Sequence, residues 1–364
     1  MIPPHLTLAM IVRNEEAYLS RCLLSVKNLA DEIIVVDTGS VDATKQIALD
    51  AGAKIVDFPW CDDFSAARNA GLDVATGRWI LVLDADEYLP ESSVRNIREI
   101  ITSDSHPNRA FHLLNKSTTD GGRTGIAGQI VRLFPNDPRI RYEWPVHEQV
   151  VTSIQRLGVS IENTSIEIIH TGYSNAIVNA AKQARNLRIL EKMTSTAEPA
   201  HPMAWFLKGG ALLDLEKTEE ALAAYIQCAE MTQPIDSIHA SALVRCATCL
   251  SDLKRFDQIP ALQPSSQPSD WHPELLLLRA QAEIHLGNTP RGLEFLHLLF
   301  NSPSRPLIPA YDPIRIRIRA VMELASLFEK TDPSKGVKLL RLASLSLQSG
   351  SEIKWPDILA LDQD

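Results

Sequence analysis

The first half of the chain alternates between apolar runs of strand length and segments whose apolar residues recur at helical spacing. His5 to Val12 is one such run, and Glu15 to Ala30 then places Leu19, Cys22, Leu23, Val26 and Leu29 along one helical face. Glu32 to Val36 predicts a second strand running into Asp37-Thr38-Gly39-Ser40. A helix from Asp42 to Ala51 follows, with Gly52 as its left-handed cap. The unit repeats, with Ala53 to Phe58 as strand, Phe64 to Ala75 as helix ended near Gly77, and Trp79 to Leu83 as strand. Further on, Ser92 to Ile101 reads as helix, and Ala110 to Asn115, Gln129 to Phe134 and Ile166 to Ile169 read as strands. Strands alternating with short helices predict an α/β fold with parallel pairing, the strand tips gathered along one edge.

From Asn175 the strands stop. Ala176 to Met193 is helix-like, with Ile177, Ala181, Ala184, Leu187, Ile189 and Leu190 as its apolar set. After it, Trp205-Phe206-Leu207-Lys208-Gly209, with Ala221 and Tyr225 downstream, resembles a tetratricopeptide repeat, although Lys208 and Leu212 stand where that pattern has Leu and Tyr. Similar turns recur at Asp252 to Phe256, Leu286 to Pro290 and Leu327 to Thr331. Two irregular stretches, Gln263 to Asp270 and Ser302 to Pro313, interrupt the series. The second half is expected to be an all-α helical repeat domain over residues 174–364, following an α/β domain over 1–173. Stacked hairpins leave a concave face suited to a peptide or to a second copy of the chain, so a homodimer through this domain is one expectation. A helical annex that only buttresses the first domain is the other.

Composition narrows the classes. The chain has 364 residues, 45% hydrophobic and 22% charged, and is long enough for two globular domains. Its 36 basic against 45 acidic residues give a net charge of -9, which argues against a nucleic-acid surface but leaves room for a local basic pocket. No apolar segment approaches the roughly 18 to 20 residues a spanning helix needs, and the N-terminus lacks signal-peptide character, so no transmembrane segment and a cytoplasmic location are expected. Five scattered cysteines fit reduced thiols. Cys246-x-x-Cys249 lies in a helical stretch without a second ligand pair, which favours packing over metal or redox chemistry.

Chemistry concentrates at the strand tips. Arg78 to Leu83 is a buried-strand pattern that ends in Asp84-Ala85-Asp86-Glu87, and strand tips of this kind are where open α/β sheets bind ligands. On an extended backbone Asp84 and Asp86 would share one side of the strand end, close enough to repel unless a cation sits between them. Magnesium or manganese with phosphate oxygens suits such carboxylates. Asn14-Glu15 and Asp37 occupy two further tips. There is no glycine-rich phosphate loop, so a phosphate would need a metal.

Four segments in order, Leu8-Ala9-Met10-Ile11-Val12-Arg13-Asn14-Glu15-Glu16, Glu32 to Thr44, Phe64-Ser65-Ala66-Ala67-Arg68-Asn69 and Leu83-Asp84-Ala85-Asp86, closely resemble glycosyltransferase family 2. The resemblance covers about the first half of the chain. It implies a GT-A fold and an inverting, metal-dependent transferase fed by a nucleoside-diphosphate sugar, here a UDP-sugar. Asn14, Glu15 and Asp37 would bind the nucleoside, Arg68 would lie near the nucleotide or sugar, Asp84 would approach the donor, and Asp86 would ligate Mn2+ or Mg2+. His170, after the last strand and beside Gly172 and Tyr173, would join it as a late metal ligand. Trp144-Pro145-Val146-His147-Glu148-Gln149 stands where the family carries its catalytic base, and His147 and Glu148 both remain candidates. Arg68 could instead pair with Asp62 and Asp63, and Glu148 could cap a helix or form a salt bridge. The turn-rich Thr118 to Gly125 could close over the donor or be an ordinary connection. The acceptor implied is a peptide, protein or glycan, with cell-surface polysaccharide or lipid-linked oligosaccharide synthesis as the alternative. A non-catalytic sugar-nucleotide-binding scaffold is the reading of another class.

Overall fold

The computed structural model describes residues 5–103, 108–118, 124–171, 176–195, 201–234, 236–264, 267–268, 271–302, 313–329 and 332–361. The chain divides into two compact units, Met1–Asn179 and Ala180–Asp364.

The first unit is built on a mixed sheet of eight strands: β1 (Leu6–Val12), β2 (Glu32–Asp37), β3 (Lys54–Asp57), β4 (Trp79–Val82), β5 (Glu87–Tyr88), β6 (Arg109–Thr118), β7 (Thr124–Pro135) and β8 (Ser160–His170). Their spatial order is β3-β2-β1-β4-β7-β6-β8-β5. The first four strands are mutually parallel. β7 then runs antiparallel to both β4 and β6, and β8 runs parallel to β6 and antiparallel to β5. The parallel half thus places the ends of β1, β2 and β4 on one edge, as the strand–helix alternation predicts.

Helices α1 (Leu19–Val26), α2 (Thr44–Asp50), α3 (Phe64–Leu72), α4 (Glu91–Thr102) and α5 (Val151–Arg156) accompany the sheet. Alternation along β1 explains why its sequence is apolar throughout. Leu6, Leu8, Met10 and Val12 enter a core shared with Leu19, Cys22, Leu23 and Val26 of α1 and Ile97 of α4, while Ala9 enters the opposite core with Ile80, Val82, Phe134 and Ile154. Buried Thr7 interrupts the run. Its hydroxyl bonds the Glu32 carboxylate and accepts the N–H of Gly77 at 2.9 Å. A Cβ on Gly77 would lie 2.7 Å from the Thr7 backbone nitrogen, so this glycine allows β1 and the chain entering β4 to touch.

Two departures from the sequence expectations have local causes. α1 starts at Leu19 rather than Glu15 because Asn14 is left-handed (φ 56°) and the N–H groups of Glu15 and Glu16 bond the side chains of Thr44 and Asp42 instead of entering a helix. The short elements β5 and α5 carry too few residues for any periodicity to reveal them. Gly52 does close α2, at φ 80°. Of the Thr118 to Gly125 stretch, residues 119–123 lie outside the described residues.

The second unit is helical, entered through α6 (Ala176–Ser195), which starts before the boundary, and followed by α7 (Pro202–Asp214), α8 (Thr218–Glu230), α9 (Ser237–Asp252), a 3₁₀ helix (Phe256–Ala261), α10 (Pro273–His285), α11 (Thr289–Asn301), α12 (Pro313–Phe328), α13 (Pro333–Ser349) and α14 (Trp355–Ala360). Consecutive helices pack as pairs, α7 on α8, α10 on α11 and α12 on α13. The repeat-like residues have a visible purpose in the first pair, where Gly209 of α7 leaves room for the buried ring of Tyr225 of α8. One turn recurs. Lys217, Arg255 and Asn288 each donate their N–H to a carbonyl five residues back, on Leu212, Leu250 and Glu283, around left-handed Glu216, Lys254 and Gly287. Matching His-Pro starts also recur, with His201 and His272 each accepting a backbone N–H at the head of α7 and α10. The stretch from Ser302 to Pro313 falls largely outside the described residues.

Two opposite stability effects follow. Gly77→Ala forces its methyl against the β1 backbone and is expected to destabilise the first unit by about 1–3 kcal/mol, read as a lower urea midpoint. Glu216→Gly and Lys254→Gly remove a left-handed penalty from exposed side chains, so each should stabilise the helical unit by roughly 0.5–1 kcal/mol.

Candidate active site

The C-terminal edge of the parallel strands is assembled from loops that bind one another before they bind anything else. At the tip of β2, the buried Asp37 carboxylate accepts the N–H groups of Gly39 and Ser40 at 3.0 Å and lies 3.5 Å from Lys45 Nζ. Burial raises its pKa, but the bonds from Ser40 and Gly39 and the Lys45 charge outweigh that and leave it below the ordinary carboxylate value. Asn14, at the tip of β1, donates its N–H to Ser40 Oγ and accepts the Val41 N–H at its side-chain oxygen. Asn14, Glu15 and Asp37 therefore lie together on two interlocked loops.

α3 positions the next group. Its residues Phe64, Ser65, Arg68 and Asn69 all hold the segment 142–149. The Phe64 N–H bonds the Pro145 carbonyl at 2.8 Å, the Ser65 hydroxyl bonds the Trp144 carbonyl, and the Asn69 side chain exchanges two hydrogen bonds with the Tyr142 backbone. This segment carries two left-handed residues, Trp144 (φ 78°) and His147 (φ 54°), a backbone strain that the four anchors hold in place. Arg68 completes the clamp. Its Nε donates to Glu148 Oε1 at 2.7 Å and its Nη2 to Asp84 Oδ1 at 2.9 Å. Asp63 instead caps α3 and Asp62 accepts from the Trp60 indole, so the alternative in which Arg68 pairs with those two acids gives way to Glu148 and Asp84.

Asp84 and Asp86 do not share one side of a strand end, because β4 finishes at Val82 and the chain turns, with the Glu87 N–H bonding the Asp84 carbonyl at 3.0 Å. The turn sends the two carboxylates to different partners. Asp84 meets Arg68 and Arg132, the latter donating from Nη2 at 2.8 Å, whereas Asp86 Oδ2 faces His170 Nε2 at 3.0 Å. Burial opposes the charge on Asp84, but Arg132 and Arg68 hold its carboxyl well below the ordinary range. His170 shifts up through its hydrogen bond to Asp86. His147 shifts down because surrounding protein penalises its charged form, with Glu148 opposing, although its outer edge is exposed.

Glu87 and Arg132 escaped the sequence reading. Neither is given a role by the amino-acid order, yet both are buried, and Arg132 Nη2 bonds Glu87 Oε1 at 3.0 Å. Burial pushes the Glu87 carboxyl up, helped by Asp84 and Asp86 against Arg132. A charged residue at an inward position of a strand was the available signal. Arg68 Nη1 and Arg132 Nε are buried without a protein acceptor. Both arginines line a cavity of about 370 Å³ together with Asp84, Glu148, Gln129, Gln149 and Tyr142.

As for a metal, no group of three or more His, Cys, Asp or Glu side chains gathers among the described residues. Asp86 and His170 nevertheless make a paired oxygen and nitrogen donor set at one edge of the site, the chemistry that manganese accepts while substrate oxygens and water complete its shell.

A mixed sheet of this order, with acidic side chains at the tips of its parallel strands, has the architecture of the GT-A fold. More particularly, residues 7–111 match the family model for glycosyl transferase family 2, and the first unit carries a domain of that family. A TPR repeat-containing protein of Synechococcus elongatus is 42% identical over 188 residues, covering 50% of this chain and 46% of the relative. The SPbeta prophage-derived glycosyltransferase SunS of Bacillus subtilis is 28% identical over 239 residues, covering 60% and 52%. The chain spans about half the length of the curated relatives it matches. Among solved structures, S. aureus TarS 1-349 in complex with UDP-GlcNAc is similar at 15% identity with a TM-score of 0.41, over 79% of this chain and 90% of that one.

Cys22 lies beneath the acidic turn, its Sγ 3.6 Å from the Asp84 carbonyl. Burial, then the charges of Glu87, Asp84 and Asp86, pushes its thiol up, and burial lifts Cys228 to about 11, Cys246 to about 12 and Cys249 to about 11. At pH 8 all four lie far below their pKa and stay protonated, whereas Cys61 is exposed. A thiolate-directed reagent at pH 8 is therefore expected to label one thiol in the native protein and five after denaturation.

Proposed function

We propose that the protein is an inverting, cation-dependent glycosyltransferase that moves a sugar from a nucleoside-diphosphate sugar, a UDP-sugar in the first instance, to a hydroxyl, thiol or amide of a peptide, protein or glycan. The observation that carries this reading is the meeting of Glu148 and Asp84 on one guanidinium, Arg68, at the wall of the cavity, with the Asp86–His170 pair on the other side of the same turn. The match of residues 7–111 to the family model supports the transferase class.

Each residue then has a task. Asn14, Glu15 and Asp37 hold the nucleoside at the tips of β1 and β2, and Asp84 orients the donor sugar. Asp86 and His170 hold the divalent cation, which when bound would neutralise the charge of the departing diphosphate. Glu148 takes the proton from the acceptor as it attacks the anomeric carbon on the face opposite the leaving group, which inverts the configuration. Arg68 fixes the direction of that carboxylate through Nε. We assign the base to Glu148 rather than His147 because Glu148 lines the cavity and His147 is not among its walls. The helical unit, with its repeated hairpins, is assigned to the acceptor by analogy with repeat grooves that hold extended chains. No described helix is long and apolar enough to cross a membrane.

Nucleoside-diphosphate release from UDP-, GDP- and dTDP-sugars, with and without Mn2+, tests the assignment. Release is expected from one donor only in the presence of the cation and to be lost in Asp86→Ala. Glu148→Gln should lower kcat by roughly 10²–10⁴ while leaving the donor KM within about threefold, and His147→Asn should retain most of the activity. Full activity in Glu148→Gln, or no release from any donor, would overturn the assignment.

A further inference from the structure

Glu87 has no task in the mechanism above, yet its carboxylate is buried and bonded at both oxygens. It opens β5, pairs across to His170 of β8, and is only 2% exposed, so it cannot reach a ligand in the cavity. Its N–H bonds the Asp84 carbonyl at 3.0 Å, while its own carboxylate returns to accept the Asp84 N–H at 2.8 Å through Oε2. One residue therefore closes the turn from both ends. Its other oxygen, Oε1, accepts Asn115 Nδ2 at 3.1 Å from β6 and Arg132 Nη2 at 3.0 Å from β7. The same Arg132 nitrogen also reaches Asp84 Oδ2 at 2.8 Å.

Each of these contacts bears on a functional group without being one. The bond to the Asp84 N–H sets the backbone from which that carboxylate projects, and the bond through Arg132 sets the carboxylate itself. On the far side, strand pairing of Glu87 with His170 is continued by Thr171, whose N–H bonds the Asp86 carbonyl at 2.9 Å, so the spacing of Asp86 from His170 is inherited from the same short strand. A buried carboxylate that accepts three N–H donors is costly to desolvate, which a simple turn closure does not require.

We infer that Glu87, acting with Arg132, is a positioning residue that holds Asp84 toward the donor and Asp86 toward the cation, so that nucleotide and cation binding depend on a carboxylate neither of them touches. This rests on the transferase reading given above. Shortening the side chain separates positioning from folding. In Glu87→Asp the charge opposite Arg132 is kept, but one methylene less leaves the carboxylate unable to span the Asp84 N–H, Arg132 and Asn115 together. Glu87→Gln keeps one acceptor oxygen, so its amide donor must face either the Asp84 N–H or Arg132 and Asn115.

Calorimetric titration of UDP with saturating Mn2+ reads binding without turnover. We expect the dissociation constant to rise about tenfold in Glu87→Asp and the donor KM to rise with it, while kcat, measured at saturating donor, falls less and the thermal midpoint stays near the parent's. Asn115→Ala, which leaves the ion pair intact, should give a smaller rise of the same kind and keeps the test open if Glu87→Asp does not fold. Parent-like binding in a folded Glu87→Asp, or parent-like binding in Asn115→Ala where Glu87→Asp is unfolded, would overturn the inference while leaving the transferase reading untouched. An unmodified protein that neither binds UDP with Mn2+ nor releases it from any donor would instead remove the transferase reading and the inference with it.

Discussion

Three carboxylates, those of Glu148, Asp84 and Glu87, approach the same small volume from a loop, a turn and a strand, and two guanidiniums are threaded between them in strict alternation. Glu148 meets Arg68, Arg68 meets Asp84, Asp84 meets Arg132, and Arg132 meets Glu87, at 2.7, 2.9, 2.8 and 3.0 Å. Unpaired, two such carboxylates about 4 Å apart would repel by roughly 4 kcal/mol at an effective dielectric of 20. The alternation removes that penalty and turns it into a constraint, since no member can move without exposing a neighbour to like charge. α3, the turn after β4, β5, β7 and the Glu148 loop are registered against each other through this one chain of charges. The sheet supplies the frame, but the directions of Glu148, Asp84 and Glu87 are decided here.

The same alternation explains what could and could not be read from the amino-acid order. The parallel half of the sheet, the helix that ends at Gly52 and the acidic strand tips follow from periodicity and glycine placement, which act over a few residues. Arg68 was legible as a residue of interest because it sits in a recognisable segment, but its partners lie 16 and 80 residues away, and local spacing carries no information at that range. Arg132 and Glu87 were missed for the complementary reason. An isolated charge in an apolar strand looks like an edge or a solvent face until the opposite charge is seen to fill the site beside it. The turn at Asp84 to Glu87 was misjudged because period-two reasoning assumes the strand continues, and here a side-chain-to-backbone bond stops it.

The helical unit obeys a different economy. Its order comes from repeated local solutions: small residues such as Gly209 and Gly292 where helices meet, prolines at the first turn, and one left-handed turn used again and again. Only the third of the described turns, at Gly287, has the residue that suits the conformation without cost, so the others keep their shape through the flanking hydrogen bonds and the packing of the helices on either side. The 3₁₀ helix after α9 shows how far the pattern tolerates loss. There the buried Arg279 of α10 donates to the carbonyls of Ile259 and Pro260, filling by one side chain the contacts a full helix would have made with its own backbone.

The pairing of β5 with β8 has a kinetic side. The Asp86 and His170 side chains meet across 84 residues of sequence, and Arg132 and Glu148 also lie beyond the segment that carries the family's signature. A chain emerging from the ribosome therefore holds Asp84 without Arg132, Asp86 without His170 and β5 unpaired until residues 132 and 170 have been made. During that interval, loop-closure entropy opposes the sheet and exposed carboxylates repel one another. The helical hairpins that follow close within a few tens of residues each, so they can mature as they appear. Within these residues the slow, non-local sheet is made before the fast, local hairpins, so it has the longer time to find its register.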